Sequence, residues 1–192
     1  MRTVILAGGG SRRMGQDKAM LPYGGTTLLQ YMIDKYAVLG DVAVSVNAPG
    51  KYAFTGAAEL PDQFPDQGPL NGLVTGFGDG TASELFLTAV DLPCGEPALV
   101  RRLALLRGDA DACILRRGRK GIEPLFAVYG RRCGAAALAC LSAGKRSVFD
   151  LLERLQVRYV APEEVADFDL ERLLTNVNTP EDYSRLGGSI IR

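Results

Sequence analysis

The segment Leu6–Gly25, with the sequence LAGGGSRRMGQDKAMLPYGG, places six glycines among three cationic side chains directly after the first apolar run. Glycines let the backbone approach a ligand without interference from a Cβ atom, and successive N–H groups can converge on an anion. Arg12, Arg13 and Lys18 add the positive charge that several phosphate oxygens need. The segment therefore predicts a phosphate-binding loop, with a flexible turn carrying solvated basic residues as the alternative.

Two familiar phosphate motifs do not match this segment. A dinucleotide fingerprint requires a third glycine where Arg13 follows Gly8 and Gly10. A Walker A loop requires Lys and a hydroxyl residue where Gln16 and Asp17 stand. Both motifs therefore fail at specific positions, and the prediction of a phosphate-binding loop rests on the glycines and the three cations.

Asp91 is the candidate metal ligand, because it directly follows the continuous apolar run Leu85–Val90. A carboxylate at the end of a buried strand suits Mg²⁺, which takes one or two carboxylates and completes its shell with water and substrate phosphates. The alternative for an isolated Asp before Pro93 is an Asx turn or a helix cap. Together with Lys18 in the glycine segment, Asp91 favours metal-assisted chemistry on phosphates.

The composition narrows the class of protein. The 192 residues include 22 Lys plus Arg and 22 Asp plus Glu, so no global field favours nucleic acid or an acidic membrane. There is no His, which removes the commonest general base and every Ser-His or Cys-His nucleophile pair. Four cysteines without a CxxC pair are typical of free thiols in a reducing compartment, and no run is long enough for a signal peptide or membrane span. We expect a cytoplasmic protein.

The elements that must position these residues alternate between strand and helix. Thr3–Leu6 and Asp41–Asn47 have strand patterns, and Thr27–Leu39 has helical spacing between them. This alternation predicts a single domain over residues 1–192, with a three-layer α/β/α fold and a mainly parallel, Rossmann-like sheet. The later predicted strands are a stretch ending at Leu60, Leu85–Val90, Ala112–Leu115, Leu125–Tyr129, Val157–Val160 and Leu173–Val177. The later predicted helices are Pro69–Phe77, Glu96–Leu106, Arg132–Leu141, Val148–Gln156 and one after Pro180.

Four stretches resemble a known family. The glycine segment is similar to the signature L-A-G-G-x-S-x-R-M-G-x-D-K of nucleotidyltransferases that activate a phosphorylated acceptor. PDQFPDQGPLNGL from Pro61, AVDLPC from Ala89 and NVNTPEDY from Asn176 follow in the same order. The chain most closely resembles the molybdenum cofactor guanylyltransferases, which implies the nucleotide-diphospho-sugar transferase type of fold.

The resemblance implies that the terminal phosphate of molybdenum-molybdopterin attacks the α-phosphate of GTP with the help of Mg²⁺. It implies catalytic roles for Lys18, Asp91 and Arg13, with Asp91 as the metal ligand. It allows molybdenum-cofactor biosynthesis proteins and molybdoenzyme chaperones as partners, and neither nucleic acid nor membrane. The nucleotide-binding residues that it implies are Leu6, Ala7, Gly8, Gly9, Lys18, Asn47, Asp62, Gly68 and Asp91.

The acceptor-binding residues expected are Asn176, Asn178 and Glu123. The two amides alternate along a predicted strand end and would point the same way, although Asn178 alone could instead cap the next helix. Glu123 stands where several family members have His or Gln. Its carboxylate would repel an anionic pterin phosphate unless a metal or an Arg intervenes, or it could bind the amino-pyrimidine edge of the pterin.

Other functions stay open at the level of sequence. The first is nucleotidyl transfer with CTP and molybdopterin or with a sugar phosphate, because the preference for guanine rests on the resemblance. The second is a nucleotide-binding accessory protein without chemistry. Asp91 together with Lys18 argues against the second, because a pure binder needs no charged metal ligand beside the α-phosphate.

Overall fold

The computed structural model describes residues 1–7, 17–64, 68–118 and 121–187. The strands in these ranges are β1 (Arg2–Leu6), β2 (Pro22–Tyr23), β3 (Thr26–Thr27), β4 (Val42–Val46), β5 (Ala58–Pro61), β6 (Glu84–Ala89), β7 (Ala112–Arg117), β8 (Gly121–Gly130) and β9 (Val157–Val160). The helices are α1 (Leu28–Tyr36), α2 (Pro69–Phe77), α3 (Pro97–Arg107), α4 (Arg132–Ser142), α5 (Val148–Leu152), α6 (Leu170–Leu173) and α7 (Pro180–Arg185). None of these helices is long and apolar enough to cross a membrane.

The long strands form one seven-stranded sheet in the order β5-β4-β1-β6-β8-β7-β9. β1 pairs in parallel with β4 and β6, β4 with β5, and β7 with β9, whereas β8 runs antiparallel to both of its neighbours. β2 and β3 form a separate antiparallel ribbon. The predicted fold class, a mainly parallel sheet, is confirmed in this architecture.

Helices cover both faces of the sheet because successive strand residues point in opposite directions. Ile5 packs into the cluster that α1, α3 and α7 line. Its neighbour Val4 packs into a second cluster, beneath α2, α4 and α5. The sheet is thus the middle of three layers, as the strand–helix alternation predicts.

Local sequence determines where the first two long helices begin. The Thr27 hydroxyl accepts a hydrogen bond from the Gln30 N–H at 3.1 Å and so caps α1. Gly68 adopts φ 63° before Pro69, the first residue of α2. α2 then lies so close to the sheet that a Cβ on Gly72 would come within 2.6 Å of a Leu6 methyl carbon. Both helices therefore approach the end of β1 where the glycine segment starts.

Three predicted elements differ from the structure. Leu173–Val177 is not a strand, because Leu173 ends the short helix α6 and the chain then runs on without regular pairing. α5 ends at Leu152, well before Gln156. β8 begins at Gly121 because it continues past an irregularity where the β7 register jumps from Ala127 to Glu123. Periodicity alone does not reveal such an interruption.

Helix α1 holds the loop that follows β6. The Lys35 ammonium group donates to the Pro93 carbonyl, and the Tyr36 hydroxyl donates to the Gly95 carbonyl at 3.1 Å. Burial lowers the pKa of Lys35 to about 8, against the opposing fields of Cys94 and Glu96. Because Asp91 opens this loop, its position depends on the packing beneath α1.

We expect Gly95→Ala to destabilise the fold through this loop. An alanine Cβ would lie 2.8 Å from the Tyr36 hydroxyl and 2.9 Å from Cζ of the Phe126 ring. Overpacking of this kind lowers the free energy of unfolding by about 1–3 kcal/mol, which urea unfolding would measure.

The double variant Gly95→Ala with Phe126→Leu separates crowding from a general loss of stability. Since leucine removes the ring that the new methyl group meets, the double variant should lose less stability than the two single variants summed. Simple additivity would show that the ring is not what limits residue 95.

Candidate active site

Lys18 lies between two distant segments of the chain. Its ammonium nitrogen is 2.8 Å from Oδ1 of Asn178, 160 positions further along the sequence. It is also 3.9 Å from Oδ2 of Asp91, which is an ion pair but too long for a hydrogen bond. The Lys18 ammonium group therefore contacts two residues, Asn178 and Asp91, that lie far from Lys18 and from each other in the sequence.

Backbone pairing explains why these segments meet. Leu6 lies beside Ala89 in the parallel β1–β6 ladder, and the Val90 N–H donates to the Leu6 carbonyl at 3.1 Å. The Val177 N–H then donates to the Asp91 carbonyl at 2.8 Å, so the C-terminal segment lies against the end of β6. Asp91 therefore lies at the same sheet edge as the start of the glycine segment.

The turn into α7 fixes the orientation of Asn178. The Asp182 carboxylate accepts from the backbone N–H groups of Asn178 and Thr179, each at 3.0 Å. Thr179 is the N-cap of α7, so the alternative in which Asn178 caps this helix is wrong. Asn176 is half-buried two residues earlier, in the stretch that is not a strand. The Asn178 side chain is left facing Lys18.

Burial sets the electrostatics around Asp91. Desolvation raises the pKa of the Asp91 carboxyl, and the positive charge of Lys18 opposes that rise. The Lys18 side chain is 12% exposed and that of Asp91 is 29% exposed. A partly buried carboxylate with one distant cationic partner is poised to gain from a second positive charge.

The predicted nucleotide-binding residues that the structure describes lie along one half of this edge. Leu6 ends β1, Ala7 follows it, and exposed Asn47 directly follows β4. Asp62 follows β5, where its N–H donates to the Val46 carbonyl at 2.9 Å. Gly68 is exposed before α2, while Gly8, Gly9 and Arg13 lie outside the described residues.

Glu123 occupies the other half of the edge, on the irregular part of β8. It is 8% exposed, and its Oε2 accepts a hydrogen bond from Arg117 at 3.0 Å. Burial raises the pKa of the Glu123 carboxyl, Arg117 opposes this, and the negative charge of Asp91 adds to the rise. The charge of Asp91 therefore reaches the Glu123 carboxyl.

Sequence reasoning missed Arg117, because it lies in the stretch RRGRKG, whose composition by itself is typical of a solvated hairpin tip. Its guanidinium also donates to the Leu174 carbonyl at 3.1 Å, which ties β7 to the segment before Asn176. A basic residue six positions before a buried carboxylate was the available signal. Arg117 is the intervening arginine that the charge argument for Glu123 requires.

Among residues 1–7, 17–64, 68–118 and 121–187, no group of three or more His, Cys, Asp or Glu side chains could hold a metal ion. Asp91 with a neighbouring amide oxygen fits a cation that retains phosphate and water ligands.

Comparison with known proteins gives a consistent picture. The model of the MobA-like NTP transferase domain matches residues 3–159. A protein of Syntrophotalea carbinolica named "Molybdenum cofactor guanylyltransferase" is 36% identical over 95% of this chain and 88% of its own length. A protein of Carboxydothermus hydrogenoformans, named "Probable molybdenum cofactor guanylyltransferase", is 32% identical over 97% of this chain and 94% of its own.

A solved structure agrees in fold. The molybdopterin-guanine dinucleotide biosynthesis protein A of Archaeoglobus fulgidus superposes with a TM-score of 0.83 at 24% identity, covering 97% of this chain and 96% of that one. The sheet order and both helix layers thus belong to a known architecture.

The buried Asp91 carboxyl predicts a stability effect of defined sign. Because its folded-state pKa is raised, the folded chain binds this proton more readily than the unfolded chain. In EDTA, the ionisation of Asp91 should therefore lower the free energy of unfolding of the wild type as pH rises from about 4 to about 7. The melting temperature of Asp91→Asn minus that of the wild type should become more positive over that range.

Asp79→Asn provides a control of opposite sign, because hydrogen bonds from Arg2 hold the pKa of Asp79 well below its usual range. That variant should lose the stability that the wild type has above the usual aspartate pKa. A difference for Asp91→Asn that stays constant with pH would contradict the proposed burial cost.

Proposed function

The chain belongs to the MobA-like NTP transferase family, among the molybdenum cofactor guanylyltransferases, and on this premise we propose that it transfers GMP from GTP to molybdenum-molybdopterin. The terminal phosphate of the pterin attacks the α-phosphate, a new P–O bond forms, and the bond to the β-phosphate breaks. The products are the guanine dinucleotide cofactor and pyrophosphate. The observation that carries the proposal is Lys18 held between Asp91 and Asn178 at the edge where β1 ends.

On the nucleotide side, we assign the β1 end and its neighbours to GTP. The backbone of Leu6 and Ala7 leads into the glycine segment, and Asn47 and Asp62 follow the next two strands at the same edge. Carboxyl ends of parallel strands are where open α/β sheets bind ligands. Gly8, Gly9 and Arg13 keep their expected phosphate roles as part of this proposal, and exposed Gly68 would border the base.

Lys18 would act on the departing phosphates. Its ammonium group is largely buried, which strengthens its interaction with an anion relative to a solvated lysine. Its hydrogen bond to Asn178 orients the group without neutralising it, because an amide carries no charge. Lys18 can therefore stabilise negative charge that accumulates as pyrophosphate leaves.

Asp91 is the residue that would hold Mg²⁺, with the Asn178 amide oxygen as a neutral second donor. The fit rests on a partly buried carboxylate whose pKa burial raises, since such a group gains when a cation arrives. When bound, Mg²⁺ supplies charge neutralisation to phosphate oxygens. Because the described residues offer no group of three metal-ligating side chains, the site would bind metal most strongly together with the triphosphate.

The acceptor would bind at the half of the edge built by Glu123, Asn176 and Asn178. Arg117 neutralises part of the Glu123 charge, which lessens the repulsion that an isolated carboxylate would exert on a pterin phosphate. Glu123 can then accept hydrogen bonds from the amino-pyrimidine edge of the pterin, which offers paired donors. The two asparagines lie on the Asp91 side of this region.

The reaction requires no protein nucleophile, which agrees with a chain that has no His. A phosphate monoester is already anionic near neutral pH, so catalysis consists of aligning two anions and stabilising the leaving group. Guanine rather than cytosine is supported by the names of the relatives. The proposal also includes molybdenum-cofactor biosynthesis proteins and molybdoenzyme chaperones as partners.

Product analysis tests the reaction and its base specificity together. Wild-type protein given GTP, CTP and metallated molybdopterin with Mg²⁺ should yield the guanine dinucleotide and pyrophosphate. Asp91→Asn should lower turnover by at least about 100-fold while keeping its fold by circular dichroism. Asp79→Asn, on the opposite edge near Arg2, is the control and should retain turnover.

Each departure has a distinct meaning. A predominant cytosine dinucleotide would reject GTP as the donor, and persistent turnover in Asp91→Asn would reject the metal assignment.

Glu123→Gln tests the acceptor assignment. The amide keeps an oxygen for Arg117 but cannot accept both donors of the pterin edge, so KM for molybdopterin should rise by about tenfold with KM for GTP unchanged. Glu84→Gln is a matched control, because Glu84 pairs with Arg107 at 2.9 Å at the opposite end of β6. A larger rise in KM for GTP than in KM for molybdopterin would contradict the assignment of Glu123 to the acceptor.

A further inference from the structure

Tyr52 makes a buried connection that the proposed reaction does not use. Its side chain is 1% exposed, in the loop between β4 and β5. The phenol oxygen is 2.8 Å from Oδ2 of Asp17 and 3.2 Å from the Ala7 carbonyl oxygen, so one hydroxyl proton faces two acceptors. The Lys51 ammonium lies 2.8 Å from the same Asp17 oxygen.

The charges of this group reinforce one another. Burial raises the pKa of Tyr52 to about 12, so its hydroxyl remains a donor at neutral pH. Burial would raise the pKa of Asp17, but hydrogen bonds from Lys51 and Tyr52 outweigh it and the net shift is downward. Asp17 is therefore an anion held by a phenol and an ammonium group from the adjoining loop.

The loop that carries Tyr52 is itself fixed from β5. The Glu59 carboxylate accepts from the backbone N–H of Tyr52 at 2.5 Å and from that of Gly50. The same loop begins at Asn47, directly after β4. Any displacement of Tyr52 would thus be shared with the loop assigned to GTP.

The two acceptors of Tyr52 lie on either side of residues 8–16 in the sequence. Ala7 follows β1, and Asp17 is the next described residue. Asp17 also caps the turn that carries Lys18, because its Oδ1 accepts from the Ala19 N–H at 3.1 Å. A single hydroxyl therefore sets the separation between the end of β1 and the base of the Lys18 turn.

We propose that Tyr52, supported by Lys51, is a positioning residue for the nucleotide: it holds Ala7 and Asp17 so that the β1 end and Lys18 address the same triphosphate. The inference rests on the proposed function, since it assumes that this edge binds GTP. Tyr52 acts through Asp17 and Ala7 and does not touch the reacting atoms. Its loss should weaken nucleotide binding more than it slows turnover of bound substrates.

Tyr52→Phe removes only the hydroxyl and keeps the buried ring. We expect KM for GTP and the calorimetric Kd for GTP to rise by about tenfold, with kcat falling by a smaller factor because Lys18 also acts on the departing phosphates. Lys51→Met, at a more exposed position, should raise the same two constants by about threefold and serves as a second variant that leaves the buried ring in place.

Tyr129→Phe is the matched control. Tyr129 is also buried and also donates to a backbone carbonyl, that of Pro124 at 2.8 Å. This hydrogen bond involves neither Ala7 nor Asp17. Its loss should leave the GTP constants unchanged even if the melting temperature falls as far as it does in Tyr52→Phe. A purely structural role for Tyr52 would lower the melting temperature and leave GTP affinity at a temperature well below melting as in the wild type.

The outcomes separate this inference from the proposed function. If the wild type binds GTP and both Tyr52→Phe and Lys51→Met bind it equally tightly, the positioning role is rejected and the proposed function stands. If the wild type prefers CTP, the assigned base is rejected and the same comparison is made with CTP. If the wild type binds no nucleoside triphosphate, both are rejected.

Discussion

The ammonium group of Lys18 is the point on which the candidate site depends. It meets Asn178 at 2.8 Å and Asp91 at 3.9 Å, and these residues come from widely separated parts of the chain. Neither β1 nor β6 alone could orient this cation, because the amide arrives on the last segment of the fold. The hydrogen bond from Val177 to the Asp91 carbonyl brings that segment into reach. The site thus exists only when the chain has closed on itself.

Charge balance at this edge is local and incomplete. Asp91 and Glu123 are both substantially buried, and burial raises the pKa of each. Lys18 partly compensates the first carboxyl and Arg117 the second. The chain has zero net charge, so its surface as a whole supplies no compensating field. A cation or hydrogen-bond donor supplied by a substrate would therefore stabilise the Asp91 and Glu123 carboxylates.

The predictable parts of the molecule are those encoded by nearby residues. The apolar run ending at Asp91 and the strand before Leu6 predict a shared edge, because parallel neighbours end together. The strand expected at Leu173–Val177 is wrong, since Leu173 belongs to α6 and the backbone hydrogen bond from Val177 to Asp91 is not part of a strand ladder. Tyr52 could not be assigned from sequence, because only tertiary packing brings its partners Ala7 and Asp17 near. The expected domain extent of residues 1–192 stays a prediction.

The antiparallel strand β8 divides the sheet edge into two parts that differ in how their strands are connected. β1, β4, β5 and β6 all end at this edge, and crossover connections join them. β7 also ends there, and β8 starts there, so a short connection at the same edge joins β7 to β8. Crossovers are constrained by the helices that they contain, but a hairpin connection can change in length with little effect on the strands beneath it. Glu123 and Arg117 sit next to this connection. Under the proposed assignment, acceptor preference could change through this one hairpin while the strands that carry the proposed nucleotide half keep their positions.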